Sequence, residues 1–481
     1  MVNADPDGTM LFYNGPVVTR PDSQAAMKRA VLLVTSVAAF LFPFMSSSVN
    51  VALPTIGADL AMGAVELAWV TTAFLLTSSL LLVPFGRLGD MRGRKRVLVT
   101  GVGIYTLGSA LAGLAPNGEM LIAARAVQGS GGAMLAATSV AILVSVHAPG
   151  ERGKVLGINA AALYSGLSAG PAVGGFLTQS LGWRAVMLVN VPLGVVLLFA
   201  ALYRLPQQSP EQPDARFDWP GFAAYAAFLF GGVYGLSELP SSHGIAALGI
   251  GLAGFLALLR IESVRSEPLI DIALFRKNIA FAMSNLAALL NYSAFFAATF
   301  LLSLYLQLVT GLSPSMAGLV LIAMPVIQAF VSPAAGRMSD RFEPRVLASS
   351  GMAFTAIGLF LMSRFDAGSS LPTIVVALAL LGLGIGVFSS PNTNAVMTSV
   401  EPTRYGLASA TLSTMRQVGM VLSMGIATLF ISMKVGTADI LDTPTPLFVD
   451  AMQSTFILCT VACLVGIIPS VFRGTVHDAA T

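Results

Sequence analysis

Fourteen apolar runs of about bilayer-crossing length leave this chain few alternatives. They begin with Ala30–Leu53 and Leu67–Phe85 and end with Leu407–Met433 and Phe448–Val471. A helix needs about 20 apolar residues to cross the hydrocarbon of a membrane. Hydrophobic residues make up 55% of the 481 positions and charged ones 10%, whereas a soluble chain carries about a quarter charged residues. The class is therefore a polytopic membrane protein. A net charge of +3 with no basic stripe excludes nucleic acid as a partner.

An even number of crossings puts both termini on one side, and the charges test that count. Twenty-one Lys and Arg fall on the side of the termini, three (Arg184, Arg364 and Lys434) on the other, and Arg125 and Arg416 inside runs. Lys and Arg concentrate in cytoplasmic segments, so both ends are expected in the cytoplasm, with the plasma membrane as the location. The stretch PFGRLGDMRGRKR, Pro84 to Arg96, has a counterpart 250 residues later in PAAGRMSDRFEPR, Pro333 to Arg345. Gly86 and Asp90 fall opposite Gly336 and Asp340. A shared device at the same place in two halves predicts an internal repeat. The expected fold is all-α: two six-helix bundles with pseudo-twofold symmetry plus an inserted two-helix hairpin. The expected divisions are a cytosolic tail over 1–28, a first bundle over 29–204, a linker with two additional helices over 205–277, a second bundle over 278–473 and a tail over 474–481.

Several separate stretches resemble one family. They include NVALPTIG at Asn50–Gly57, the Gly86–Arg96 segment, RAVQG at Arg125–Gly129 and GLSAGPAVGG at Gly166–Gly175. Others are GWRAVMLVNVPLG at Gly182–Gly194, FDWPGF at Phe217–Phe222, YLQLVTGLSPSMAGL at Tyr305–Leu319 and MRQVG at Met415–Gly419. In this order they are similar to the major facilitator superfamily, and in particular to its fourteen-helix drug–proton antiporter branch. The resemblance implies alternating access between the two bundles.

The candidate site residues follow from burial cost and from that resemblance. A cation in a membrane helix costs at least about 2.5–3.5 kcal/mol on insertion scales, which makes it a functional candidate by default. Arg125, with Gln128 nearly one turn on, and Arg416, with Gln417, are the two cases. Polar groups Asn50, Asn159, Asn291, Tyr292 and Gln307 complete the expected lining of a central cavity. The resemblance makes Gly86, Asp90, Arg94, Gly336 and Asp340 parts of a gating loop that acts as a latch, in which Asp90 meets the positive end of a helix from the other bundle. It makes Gly166, Gly170, Pro171 and Gly174 the packing face between bundles, since small residues at four-residue spacing let helices approach closely.

One departure matters. Where the family's first helix usually carries an aspartate, this chain has Met45, and no carboxylate lies near the middle of any run. Glu66 and Glu119, toward the outer ends, remain as proton carriers. The formal nucleophile-elbow match around Ser168 lacks a histidine partner, and Cys459 and Cys463, four apart, read as packing residues. No enzyme, cofactor or metal site is expected. The sequence reads as a monomeric efflux transporter of small lipophilic or amphipathic solutes, proton-linked and in contact with the bilayer. Two buried arginines without a buried acid favour anionic, zwitterionic or neutral substrates. The rivals are a multidrug–proton antiporter for organic cations and a membrane sensor or scaffold that moves no solute.

Overall fold

The structure, a computed structural model, describes residues 21–208, 210, 217–265, 272–339, 341–401, 404–436 and 445–474. Asp340, most of the expected N-terminal tail, parts of the expected 205–277 linker and all but residue 474 of the C-terminal tail lie outside this set. Among the described residues regular structure is entirely helical. In chain order the first group is α1 (Pro21–Leu60), α2 (Ala64–Arg92), α3 (Arg94–Gly113), α4 (Gly118–Ser145), α5 (Pro149–Leu181), α6 (Trp183–Leu188) and α7 (Asn190–Arg204). Then come α8 (Trp219–Ser237), α9 (Ser242–Glu262) and the short α10 (Ile272–Lys277). The last group is α11 (Ile279–Leu304) with a π-turn at Tyr305–Val309, α12 (Pro314–Leu321), α13 (Ala323–Met338), α14 (Pro344–Met362), α15 (Leu371–Thr398), α16 (Tyr405–Lys434) and α17 (Thr445–Phe472).

Side-chain caps mark where the helices start. Asn117 accepts from the Met120 amide at 2.9 Å, Asp218 from Gly221 at 3.1 Å, Ser241 from Gly244 at 3.1 Å and Asn278 from Phe281 at 2.9 Å. Each satisfies one of the amides that a helix leaves open at its N-terminus. α1 already begins at Pro21, so the first turns of this helix occupy the end of the stretch expected as a tail.

Among the described residues, twelve helical segments are long and apolar enough to cross a membrane. The 33-residue α5 and the 19-residue α8 fall outside that set, so the count of fourteen read from the sequence is not reached by length and composition. α5 carries Glu151, Arg152, Lys154, Asn159 and many glycines, and α8 carries Trp219, Pro220, Tyr225, Tyr234 and four glycines, which lower the mean hydropathy of both.

The same packing occurs twice. α1 lies along α5, α3 along α4 and α2 on α4; in the second group α11 lies along α16, α14 along α15 and α13 on α15. α8 and α9 pair with each other, and α8 also touches α2 and α16, one helix from each group. Small residues permit these approaches. A β-carbon at Gly131 would lie 2.7 Å from the Gly101 carbonyl oxygen and from Tyr105 Cα, so α3 and α4 meet backbone to backbone there.

The Gly86–Arg96 segment is not a loop. α2 continues through Arg92 and α3 starts at Arg94, leaving only Gly93 between them. Gly93 has φ +96°, and a β-carbon there would lie 2.9 Å from the Gln208 carbonyl oxygen, so glycine is required for conformation and for space. The tract after α7 lies across this corner: Lys95 Nζ donates to the Leu205 carbonyl at 2.6 Å, and Gln208 Nε2 to Ser145 Oγ at 2.8 Å.

Candidate functional site

Between the two groups lies a cavity of about 450 Å³. It is bounded by α1, α2, α4 and α5 on one side and by α11, α12, α13, α15 and α16 on the other. At the end carrying the α5 C-terminus and the α12 N-terminus it is sealed by contacts between the groups. Ser303 Oγ donates to the Asn50 carbonyl at 2.6 Å, Gln307 Nε2 to the Val51 carbonyl at 3.0 Å, and the Ser315 amide to Gln179 Oε1 at 3.3 Å. Gly318 faces the Pro171 carbonyl, and Gly175 faces Pro314, with no room for a β-carbon at either glycine. At the opposite end, near Gly93, the hydrogen bonds described join helices within a group: Lys28 to Glu151 at 2.6 Å, Asn278 to the Ser399 carbonyl at 2.5 Å, and Arg473 to Asn392 at 2.9 Å. The lining extends toward this end, through Ala38 of α1, Val140 of α4, Asn159 of α5 and Ser413 of α16.

Five of the nine expected lining residues are in the lining: Asn50, Asn159, Tyr292, Arg416 and Gln417. Asn50 Nδ2 donates to Thr299 Oγ1 at 3.3 Å, and its Oδ1 accepts from Thr71 at 3.2 Å. Asn159 Nδ2 donates to the Thr35 carbonyl at 3.0 Å. Arg416 is half-buried and donates through Nη2 to Thr393 Oγ1; its guanidinium carbon stands 5.7 Å from the Tyr292 ring centroid. Its Nε is buried and has no hydrogen-bond partner among the described residues. Gln417 Oε1 accepts from Ser79 Oγ at 3.3 Å, a bond between the two groups at the edge of the cavity.

The other four lie elsewhere. Arg125 and Gln128 are fully buried inside the first group. Arg125 Nε donates to the Val70 carbonyl at 3.1 Å, its Nη1 to Gln128 Oε1, and its guanidinium lies 4.3 Å from the centroid of the Phe74 ring. Gln128 Nε2 donates to Ser109 Oγ at 2.7 Å, extending a network through α2, α3 and α4. Asn291 faces α17, where Cys463 Sγ approaches its Oδ1 at 3.7 Å, and Gln307 forms part of the seal.

The latch and packing residues also differ from expectation. The described polar partner of Asp90 is Arg94, which donates from Nη2 at 2.9 Å and from Nε at 3.1 Å, four residues along the same corner. Gly86 faces Ala137 of α4, Gly89 lies between Thr138 of α4 and Arg94 of α3, and Gly336 faces Ser390 of α15. Gly166, Gly170 and Gly174 pack α5 onto Phe40, Phe44 and Ser48 of α1, inside the first group. Pro171 does reach the other group, through Gly318. Glu66 and Glu119 are exposed in the first turns of α2 and α4, outside the lining, where Glu66 Oε2 accepts from the Gly63 amide at 3.3 Å. Met45, at the position of the missing aspartate, is buried beside Asn190, whose Nδ2 lies 3.0 Å from Met45 Sδ.

Several lining residues escape the sequence reading: Ser46, Ser47, Ser139, Tyr164, Thr299, Gln328, Ser389 and Ser413. Gln328 was legible as the lone amide in its apolar run. The hydroxyl residues were not, because a helical serine or threonine satisfies itself on the carbonyl one turn back, as Ser47 does on Pro43 at 2.8 Å. Among the described residues the result is an apolar, aromatic chamber with amide and hydroxyl groups and a single formal charge, Arg416.

Comparison with known proteins agrees with the architecture. The model of the Major Facilitator Superfamily matches residues 35–275 and 284–480. The chain is 31% identical over 448 residues to the riboflavin transporter RibZ of Clostridioides difficile, covering 92% of this chain and 97% of that one. It is 33% identical over 428 residues to the cephamycin export protein CmcT of Amycolatopsis lactamdurans, covering 87% and 88%. Among solved structures, a bacterial homolog of the human lysosomal transporter Spinster, in an inward-facing and unoccupied conformation, superposes with a TM-score of 0.69 at 15% identity, covering 95% of this chain and 98% of that one. With its repeated helical groups and the chamber between them, the chain belongs to the Major Facilitator Superfamily and is a multi-pass membrane transporter, not an enzyme.

Proposed function

We propose that this protein is an efflux transporter of the plasma membrane that moves planar, amphipathic solutes of anionic, zwitterionic or neutral charge by alternating access. The carrying observation is the lining of the chamber. Among the described residues that line it, Arg416 is the one that carries a charge, and none is a carboxylate that would attract a cation. Phe42, Tyr164, Tyr292, Phe295 and Phe296 offer ring faces, while Asn50, Asn159, Gln328 and Gln417 offer donors and acceptors to the edge of a heterocycle. Chambers of about 300–1,000 Å³ hold ligands of drug size. A relative named as a riboflavin transporter and another named as an export protein support this reading. Riboflavin is a neutral planar ring system with an imide edge, the chemistry such a lining would read.

In the proposed topology fourteen helices cross the membrane, with α5 and α8 among them and α8–α9 as an inserted hairpin. The Gly93 end and both termini face the cytoplasm, as the distribution of Lys and Arg supports. Solute enters from that side, the bundles close over it, and the seal at Asn50, Gln179 and Gly318 opens to release it. A monomer carries the whole site. The proposed cycle routes no proton through Glu66 or Glu119, because neither borders the chamber.

The test is flux into inside-out membrane vesicles, comparing riboflavin, riboflavin 5′-phosphate and the cation rhodamine 123. The flavins should accumulate and the cation should not, with Arg416→Gln reducing flux of the phosphate at least tenfold. Transport of rhodamine 123 alone would establish the cation-antiporter alternative.

A further inference from the structure

Among the described residues that line the chamber four are primary amides, and three of them are engaged by the protein itself. Asn50 uses both ends, donating to Thr299 Oγ1 at 3.3 Å and accepting from Thr71 at 3.2 Å. Asn159 Nδ2 donates to the Thr35 carbonyl at 3.0 Å, and Gln417 Oε1 accepts from Ser79 Oγ at 3.3 Å. Gln328 is different. It borders the chamber and is only 5% exposed, yet neither its Oε1 nor its Nε2 has a hydrogen bond among the described residues.

The backbone that carries Gln328 is held firmly. α13 is clamped on α15 at three levels. Gly382 leaves no room for a β-carbon against the Met324 carbonyl, and a β-carbon at Gly386 would lie 3.0 Å from Val331 Cβ and 3.4 Å from Gln328 Cα. One turn on, Ser332 Oγ and Ser390 Oγ share a hydrogen bond of 2.9 Å. A buried amide on so fixed a backbone is a prepared hydrogen-bonding edge, with little freedom left to lose on binding.

The plane of a glutamine amide presents a donor and an acceptor side by side. Its complement is a ring edge with an adjacent acceptor and donor, the pairing by which glutamine also reads adenine in nucleic acids. Water in the chamber serves both amide ends until a flat solute displaces it. A solute with the complementary edge replaces both bonds, whereas one without it leaves both ends unpaired, which a buried polar group tolerates poorly. The amide carries no charge, so this recognition acts equally on a neutral solute and on its anion. It is separate from the reading of charge by Arg416.

Resting on the reading of the chamber as the solute site, we propose that Gln328 determines which ring systems are accepted. It pairs with planar heterocycles that carry a donor and an acceptor side by side on one edge, as the N–H and C=O of a ring imide do. Its Nε2 donates to the solute carbonyl, and the solute N–H donates to its Oε1. Rings of the same size and shape that lack the N–H are rejected.

The experiment measures flavin binding to the purified full-length protein by fluorescence quenching, with riboflavin, N3-methylriboflavin and riboflavin 5′-phosphate as probes. The methyl group removes the imide N–H and leaves the ring system intact. The unsubstituted protein should bind riboflavin at least tenfold more tightly than N3-methylriboflavin. Gln328→Met, similar in length but without the amide, should weaken riboflavin until the two differ by less than threefold. Gln328→Leu gives the same comparison if the methionine variant does not fold. Riboflavin 5′-phosphate shares the ring, so Gln328→Met should weaken it by the same factor and leave the phosphate-to-riboflavin ratio unchanged. That unchanged ratio separates loss of the amide from damage to the chamber. Equal binding of riboflavin and its N3-methyl analogue, or a tenfold preference that survives Gln328→Met, would overturn the role of Gln328. The chamber would still stand as the solute site if Arg416→Gln selectively weakened the phosphate. Binding of none of the three flavins would overturn both.

Discussion

Replacing Gly318 by alanine should tip the transporter out of the conformation described here. Gly318 lies in α12 against Pro171 of α5, at the sealed end of the chamber, and a β-carbon there would stand 2.9 Å from the Pro171 carbonyl carbon and closer still to its oxygen. Both are backbone atoms, so no side chain can turn aside, and α5 and α12 must separate. Overpacking of this kind costs roughly 1–3 kcal/mol. The gain in helix propensity from glycine to alanine, about 1 kcal/mol, applies in both conformations and cancels from their ratio. At 1.4 kcal/mol per factor of ten, the balance should shift by roughly 5- to 150-fold toward the state open at this end. The assay places a reporter at Thr299→Cys in the chamber lining, with the two native cysteines buried. An impermeant maleimide applied to intact cells from the sealed side should label Gly318→Ala/Thr299→Cys at least fivefold faster than Thr299→Cys alone. Equal rates in two folded proteins would refute the idea that this contact holds the chamber shut.

Gly131→Ala forces apart α3 and α4 within one bundle, away from the moving seam. It should lower stability by about 1–3 kcal/mol, read as a lower thermal midpoint in detergent, with no change in maleimide access from the sealed side. Arg125→Gln leaves the Val70 carbonyl and the Gln128 amide oxygen without their donor, a loss of about 1–3 kcal/mol for buried groups. Because Arg125 lies outside the lining, the Kd for riboflavin 5′-phosphate should change less than twofold. A tenfold change would place Arg125 in the binding site after all.

The sequence shows the class and the repeat plainly, because apolar length and charge asymmetry are one-dimensional signals. It shows the chamber only in part. Of the residues singled out in the sequence, Arg416, Gln417, Asn50, Asn159 and Tyr292 border it, whereas Arg125, Gln128, Asn291 and Gln307 do not. The physical reason is that a membrane helix is apolar all round, so periodicity does not say which side faces a neighbour and which faces the chamber. α4 illustrates this: the face with Arg125 and Gln128 meets α2 and α3, while Leu135, Ala136, Ser139 and Val140, further along, meet the chamber. The glycines of α5 are misleading for a related reason. Four-residue spacing predicts close approach to some helix, and the partner of Gly166, Gly170 and Gly174 is α1 of the same bundle. Arg473 gave no signal as a terminal basic residue, yet it is buried and tied to Asn392 and Ser470.

The most direct test of the central claim, that the charge of Arg416 selects the solute, is equilibrium binding to the purified protein by quenching of flavin fluorescence. Riboflavin and riboflavin 5′-phosphate share one ring system and differ in charge. Arg416→Gln should weaken the phosphate at least tenfold, in line with the roughly 1.5–3 kcal/mol of a hydrogen bond to a charged group, and riboflavin less than threefold. Equal losses for the two flavins, or none for the phosphate, would contradict the account.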